Sequence, residues 1–415
     1  MCNALKLLSA TNSPSKSDEE WVPAEMVSYL SCTTLDIIGM AGFNYSFGSL
    51  KTLVNNTTKK TSATAVKGET SQNKDPLASA LSRTLDATTT GFPILQLLKT
   101  HLPIFRLITF DRRTRTNNKS RAIIHEIGKQ IVSERKRAIA EEKNGGMDQT
   151  GGSKDLLTLL IKANLADNGT DQRLTDEEVM NQIPTFFLAG HETTSTSTAW
   201  ALFSLACDPA IQSKLRAELL EVPTDYPKME QLNSLSYLDM VIRETLRYHS
   251  VVNEAVRVAV QDDVIPFEKP FEDSVAKGDG IFIPIRVLNT LPEIWGPDAE
   301  EFNPDRWINP PKEASSIPNA WDVDLIPQAD CVSMNRMKAL LFALIRNFEF
   351  KLNVPLEELI QKTSRQVSAK SRKPTANAHQ ANQVEILVER ASWCMGLMTC
   401  HVQRPRMPIR AGFVS

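Results

Sequence analysis

Residues 186–200, FFLAGHETTSTSTAW, place a carboxylate and a hydroxyl side by side, Glu192 and Thr193, just after Gly190. An acid next to a hydroxyl can relay protons to a bound reactant, and a glycine leaves room for that reactant to approach. The His191-Glu192 pair also begins a zinc-protease pattern, which needs a second histidine one helical turn on so that two imidazoles face the metal. Position 195 is serine, so that reading fails. A plainer reading stays open: Gly190 marks close helix packing, and the six consecutive hydroxyl side chains from Thr193 to Thr198 bond back to carbonyls one turn earlier.

Further on, VIRETLRYH sets Glu244 and Arg247 at i, i+3, where they can form an ion pair. Leu235, Leu238, Ile242 and Leu246 lie on roughly the opposite face, so periodicity alone predicts a solvated salt bridge worth a few tenths of a kcal/mol. FNPDRW, residues 302–307, is an Asn-Pro turn signal followed by Asp305, Arg306 and Trp307, and alone it is a turn with a nearby cation. Arg257 in AVRVA reads from its residues as a strand-edge arginine in solvent. The six cysteines, Cys331 among them, are scattered with no Cys-x-x-Cys pair. Without a signal peptide either, they support neither a zinc knuckle nor a disulfide framework, and a reducing compartment is the default.

The elements that must carry these residues are mostly helical. Thr175 with Glu178 makes a capping box that opens one long helix over about 176–207. Asp208-Pro209 then reads as an N-cap with proline in the first turn of a separate helix through AIQSKLRAELLEV. A helix over about 233–249 carries Glu244 and Arg247, and MNRMKALLFALIRNFEF, residues 334–350, is helical again. Between them AVRVAV, DDVIPF and GIFIPI have strand composition. Segments 55–76 and 141–155 read as surface loops, and the polar segment 364–383 precedes a strand-like VEILV. The expected fold is mostly α with a small β part.

Composition excludes other classes. With 415 residues, 41% hydrophobic, 23% charged and a formal net charge of -2, the chain is an ordinary globular one, and nothing asks for a nucleic-acid partner. No run reaches the roughly 18–20 apolar residues that span a bilayer, so a membrane anchor is not expected in this chain.

Taken in order, AGHETT, ETLR and FNPDRW resemble the cytochrome P450 family of haem-thiolate monooxygenases. AGHETT looks like its central-helix pattern, ETLR like its Glu-x-x-Arg helix, and FNPDRW like its aromatic-x-Pro-acid-Arg-aromatic loop. The text between them, from AVRVAVQDDVIP to FNPDRW, is similar as well, and the resemblance covers most of residues 20–355.

The resemblance implies a cytochrome P450-like fold, here incomplete: a divergent segment 1–19, a single domain 20–355 with its sheet and loop region at 255–310, and a partly family-like, divergent tail 356–415. It implies insertion of one atom of dioxygen into a small apolar substrate, with haem iron as cofactor and electrons from NADPH through a reductase partner. Gly190 would leave room above the haem, and Glu192 and Thr193 would supply protons so that the O–O bond cleaves. Glu244, Arg247 and Arg306 would form a buried charge network holding the loop at the haem's cysteine face, and Arg257 would meet a haem propionate. Cys331 would be the metal ligand.

Around that cysteine the pattern departs from the family's. DVDLIPQADCVSMNR has no glycine, phenylalanine or arginine before Cys331, and Arg336 stands where relatives usually carry a glutamate. Cys331 is therefore either the thiolate ligand in a rearranged loop or a free thiol in an unrelated one. The abrupt joins predict a truncated, alternatively spliced or mis-joined member of a fungal-type membrane monooxygenase. The alternative function is a non-catalytic member without a stable haem site. The full-length type implies the endoplasmic reticulum membrane, and this chain, lacking an anchor, the cytoplasm.

Overall fold

The computed structural model describes residues 22–61, 75–89, 112–143, 155–165, 174–266, 272–316, 331–352 and 399–403. Strand β1 (Val22–Glu25) leads into helices α1 (Met26–Phe43), α2 (Ser49–Thr61), α3 (Pro76–Thr89), α4 (Arg112–Lys143) and α5 (Leu156–Leu165). The central α6 (Asp176–Cys207) follows, then α7 (Pro209–Glu221), α8 (Met229–Asn233) and α9 (Ser236–Tyr248). Four short strands, β2 (Ala255–Val258), β3 (Asp263–Pro266), β4 (Glu272–Val275) and β5 (Gly280–Ile283), precede α10 (Ile285–Thr290) and α11 (Pro292–Trp295). A 3₁₀ turn (Pro304–Ile308), α12 (Lys312–Ser316), α13 (Cys331–Asn347), β6 (Glu349–Leu352) and β7 (Thr399–Gln403) complete the described chain. The fold is mostly α with a small β part, as expected.

The described residues from Ser28 to Thr193 form one compact unit, and those from Thr194 onward, with residues 22–27, form another. In the first unit, α4 buries Ser120, Ile124, Gly128, Ile131, Arg135 and Ile139. Spacings of three and four residues put these on one stripe, which explains why a helix so charged elsewhere still joins a core. Arg135 is buried on that stripe because Asp155 lies 3.6 Å from its guanidinium. Phe187 of α6 stacks on Phe43 with ring centroids 4.2 Å apart. The turn after α1 needs Gly39: a Cβ there would come within 2.5 Å of the Tyr45 carbonyl and 2.7 Å of the Phe47 ring.

Helix α1 corrects one expectation. Its 18 residues are long and apolar enough, by length and composition, to cross a membrane, although 44% of them are buried in the fold. Leu30, Thr34 and Ile38 are buried at i, i+4 spacing, the pattern of a core helix.

In the second unit, Asp208 caps α7 by accepting from the backbone N–H groups of Ala210 and Ile211. The buried Gln212 amide donates to the carbonyls of Leu205 at 2.8 Å and Phe350 at 2.9 Å, pinning β6 against α7. Glu218 caps α9, accepting from Tyr237 N and Leu238 N at 2.8 Å each. Among the described residues the β part is three small antiparallel sheets, β1-β7-β6, β2-β5 and β3-β4. Where the expected loops 55–76 and 141–155 fall on described residues they are partly helical, because α2 continues to Thr61 and α4 to Lys143; residues 62–74 and 144–154 lie outside the described residues. VEILV and segment 364–383 lie outside the described residues.

Candidate functional site

Helix α6 begins and ends where its punctuation predicts. The Thr175 hydroxyl accepts from Glu178 N at 3.2 Å while the Glu178 carboxylate accepts from Thr175 N at 2.7 Å. Along the helix Gly190, His191 and Thr193 are half-buried and Glu192 is exposed. Thr193 Oγ1 donates to the Ala189 carbonyl at 2.5 Å, and Thr198 Oγ1 to the Thr194 carbonyl at 2.7 Å, which is the back-bonding of the plainer reading. His191 Nε2 hydrogen-bonds Ser31 Oγ of α1 at 2.9 Å. Burial holds its imidazole below the usual histidine range, so it is neutral at pH 7.

The ion pair on α9 is not a solvated one, and the expectation from periodicity is overturned. Glu244 is 0% exposed, Arg247 2% and Arg306 8%. Arg247 donates to both Glu244 oxygens, Nε to Oε2 at 2.9 Å and Nη2 to Oε1 at 2.8 Å. Its remaining N–H groups go to the carbonyls of Asn289, Ala299 and Glu301 at 2.7–2.9 Å, so all five donors of a guanidinium are used. Glu244 further accepts from Asn303 N at 2.9 Å, Trp307 Nε1 at 3.0 Å and, at 3.5 Å, Arg306 Nε. Arg306 Nη1 also reaches Asp298 Oδ1 at 2.8 Å and the Trp295 carbonyl at 3.0 Å. Hydrogen bonds from Arg306 in turn hold the Asp298 carboxyl below its ordinary value. Charges this deep persist only when paired and fully hydrogen-bonded, and here they are. The helix thus has two buried faces: its apolar stripe packs on helices, and its polar face is covered by α10, α11 and the 3₁₀ turn.

Glu244, Arg247 and Arg306 are therefore brought together as a group. Sequence reading missed Trp307 and Asn303 as its fourth and fifth members; the indole N–H of Trp307, a donor that usually finds a partner when buried, was the only signal there. Arg257, on β2, is exposed, with Nη1 donating to the Val256 carbonyl at 3.1 Å. Cys331 is the first residue of α13, and its side chain lies outside the described residues. Gly190, Glu192 and Thr193 belong to the first unit, and the other predicted site residues to the second.

The sequence profile of the family Cytochrome P450 matches residues 2–321 of this chain. The chain belongs to the cytochrome P450 family. Among similar proteins, cytochrome P450 monooxygenase 205 of Postia placenta (strain ATCC 44394 / Madison 698-R) is 42% identical over 374 residues, 85% of this chain and 65% of that protein. Cytochrome P450 monooxygenase 128 of the same fungus is 38% identical, over 81% of this chain and 62% of the relative. Cytochrome P450 monooxygenase claW of Ampulloclitocybe clavipes is 34% identical, over 72% and 52% respectively. The chain thus spans under two thirds of the length of these cytochromes P450. The family match ends at residue 321, ahead of Cys331 and α13.

For a haem, a protein of this kind must supply one sulfur ligand and cationic partners for the carboxylates. Of the residues assigned to those roles, Arg257 is an exposed cation on the small sheet, and Cys331 is the first residue of a 17-residue helix. Among the described residues no group of three or more His, Cys, Asp or Glu could hold a bare metal ion.

Proposed function

We propose that this cytochrome P450 is a haem-dependent monooxygenase that inserts one atom of dioxygen into a small apolar substrate, with electrons from NADPH through a reductase. The observation that carries the reading is the complete Glu244–Arg247–Arg306 network, buried and satisfied in a chain whose family is established. Cys331 would hold the iron and Arg257 a propionate. Glu244, Arg247 and Arg306 act indirectly, because their polar atoms are engaged by protein partners: they fix the 3₁₀ turn and α11 against α9. When bound, haem supplies the site for dioxygen and the oxidising power.

What the chain's own residues add is room and protons. Gly190, lacking a side chain, would let a reactant approach the α6 backbone closely. Thr193 keeps its hydroxyl on the Ala189 carbonyl and can rotate about χ1 to lend its proton to a neighbour, and Glu192, exposed to water, can replace that proton. The family type implies the endoplasmic reticulum membrane as its location, and residues 20–355 as its domain; both are part of the same proposal.

The test is the absorption spectrum of the chain expressed with added haem, reduced and bound to carbon monoxide. A strongly red-shifted Soret band that disappears in Cys331→Ala supports thiolate ligation and the monooxygenase reading. Absence of any haem-derived band overturns it in favour of a non-catalytic member of the family.

A further inference from the structure

Helix α9 carries a second charged cluster, one turn before Glu244. Asp239 Oδ1 lies 2.9 Å from Lys338 Nζ of α13, and the same ammonium donates to Asn233 Oδ1 of α8 at 3.1 Å. Lys338 is the unusual partner, since its side chain is only 7% exposed, against 26% for Asp239. The other Asp239 oxygen accepts from Arg243 Nε at 2.6 Å. The Arg243 guanidinium sits 5.7 Å from the centroid of the Trp307 ring, whose indole N–H is bonded to Glu244. Burial would push the Asp239 carboxyl up, but the hydrogen bonds from Lys338 and Arg243 outweigh it and hold it below its usual value.

A lysine this deep is a poor device for stability alone, because a methionine of similar shape would pack α13 on α9 without desolvating an ammonium. A charge with two directional acceptors does what an apolar contact does not: it allows one rotation and one axial register of the helix that bears it. Lys338 follows Cys331 by seven residues, two helical turns, so the two positions share a face of α13. We propose that Lys338 is a positioning residue which, gripped by Asp239 and Asn233, sets the rotation and register of α13 and with them the place at which Cys331 is presented. The inference rests on the reading of Cys331 as the haem's sulfur ligand.

The test compares Lys338→Met, Lys338→Arg and Asp239→Asn in the full chain by two readouts, backbone hydrogen exchange and the reduced carbon-monoxide spectrum. Lys338→Met is expected to keep α9 protected while amides in the first two turns of α13 exchange about tenfold faster, a loosening confined to one helix. In the haem-loaded protein the same variant should lose at least half of its thiolate-type band to a form absorbing at shorter wavelength, and Lys338→Arg, which keeps a cation between the two acceptors, should restore both readouts. Asp239→Asn retains the Asn233 contact and should show both changes in smaller size, which decides the matter should Lys338→Met not fold. Wild-type exchange and spectrum in Lys338→Met, or failure of Lys338→Arg to differ from it, overturns the proposal. A wild-type chain that takes up no haem defeats the reading of Cys331, and hydrogen exchange then decides the positioning of α13 by itself.

Discussion

The indole of Trp307 donates to Glu244 Oε2 at 3.0 Å, making the aromatic residue after Arg306 a direct partner of the buried carboxylate. Trp307→Phe keeps an aromatic side chain but removes the donor and part of the ring's contact with Trp295. The expected loss is about 1–3 kcal/mol, the usual cost of leaving a buried acceptor short of a partner. Glu244→Gln is the harsher change, because the buried Arg247 loses its counter-ion while Arg306 keeps Asp298, and about 3–5 kcal/mol is expected. Urea unfolding monitored by tryptophan fluorescence ranks the two, and equal midpoints for Trp307→Phe and wild type would count against a role for the indole.

His249, one residue after α9, makes the second unit sensitive to acid. Its ring stacks on Trp200 with centroids 4.2 Å apart, and Nε2 hydrogen-bonds Ser204 Oγ at 3.0 Å. Burial, aided by the nearby charges of Arg286 and Arg247, pushes its pKa down from 6.5 to about 3. The unfolded imidazole therefore takes up a proton near pH 6.5 while the folded one stays neutral until about pH 3, and the unfolded state binds more protons throughout that window. Stability must fall as pH drops through it, by up to about 1.4 kcal/mol per pH unit from this one group. His249→Gln offers Ser204 an amide that does not titrate. Its urea midpoint should decline less than that of the wild type between pH 6.5 and 5, and parallel declines would show that His249 is not the responsible group.

Gly39→Ala should destabilise the first unit by about 1–3 kcal/mol, because the added methyl meets a backbone carbonyl and a ring that are themselves packed. Thermal unfolding of this variant should show a clear drop, whereas Gly280→Ala, where no atom beyond the adjoining residues lies within 4 Å of the new Cβ, should escape that steric penalty.

Thr193→Ala separates chemistry from folding. Alanine is the better helix former, so α6 should hold its stability. Product formation by the haem-loaded chain, supplied with a reductase, should fall by a factor of about 10² to 10⁴ if the hydroxyl moves a proton in the reaction. Thr193→Ser should recover most of it; unchanged product yield in the alanine variant would remove Thr193 from the mechanism.

How far the sequence spoke depended on whether a signal was local. Both ends of α6 are marked by side chains that satisfy backbone groups two or three residues away, Glu178 with Thr175 and Asp208 with Ala210, so the helix could be placed to the residue. The environment of Glu244 was illegible to periodicity, which measures only how one helix sorts its own faces. Segments 42 to 63 residues further on cover the polar face, and family resemblance alone anticipated them. Ser31 and His191, separated by 160 positions, have no sequence signal joining them. Nothing in MNRMKALL marks Lys338 as buried, and only the fold shows it to be so. The membrane-length apolar character of α1 escaped because threonines and an aspartate interrupt its run.

The β1-β7-β6 sheet joins residues 22–25 to residues 399–403. On the ribosome, β1 emerges with its hydrogen-bonding partner still about 375 residues from being made. At about 5–20 residues per second this leaves that edge unsealed for on the order of 20 s or longer, in a segment leading directly into an apolar helix. A newly made chain therefore passes through a long interval with a sticky, unpaired strand ahead of α1, and its yield in a cell will be set by chaperone supply and synthesis temperature as much as by the stability of the finished fold.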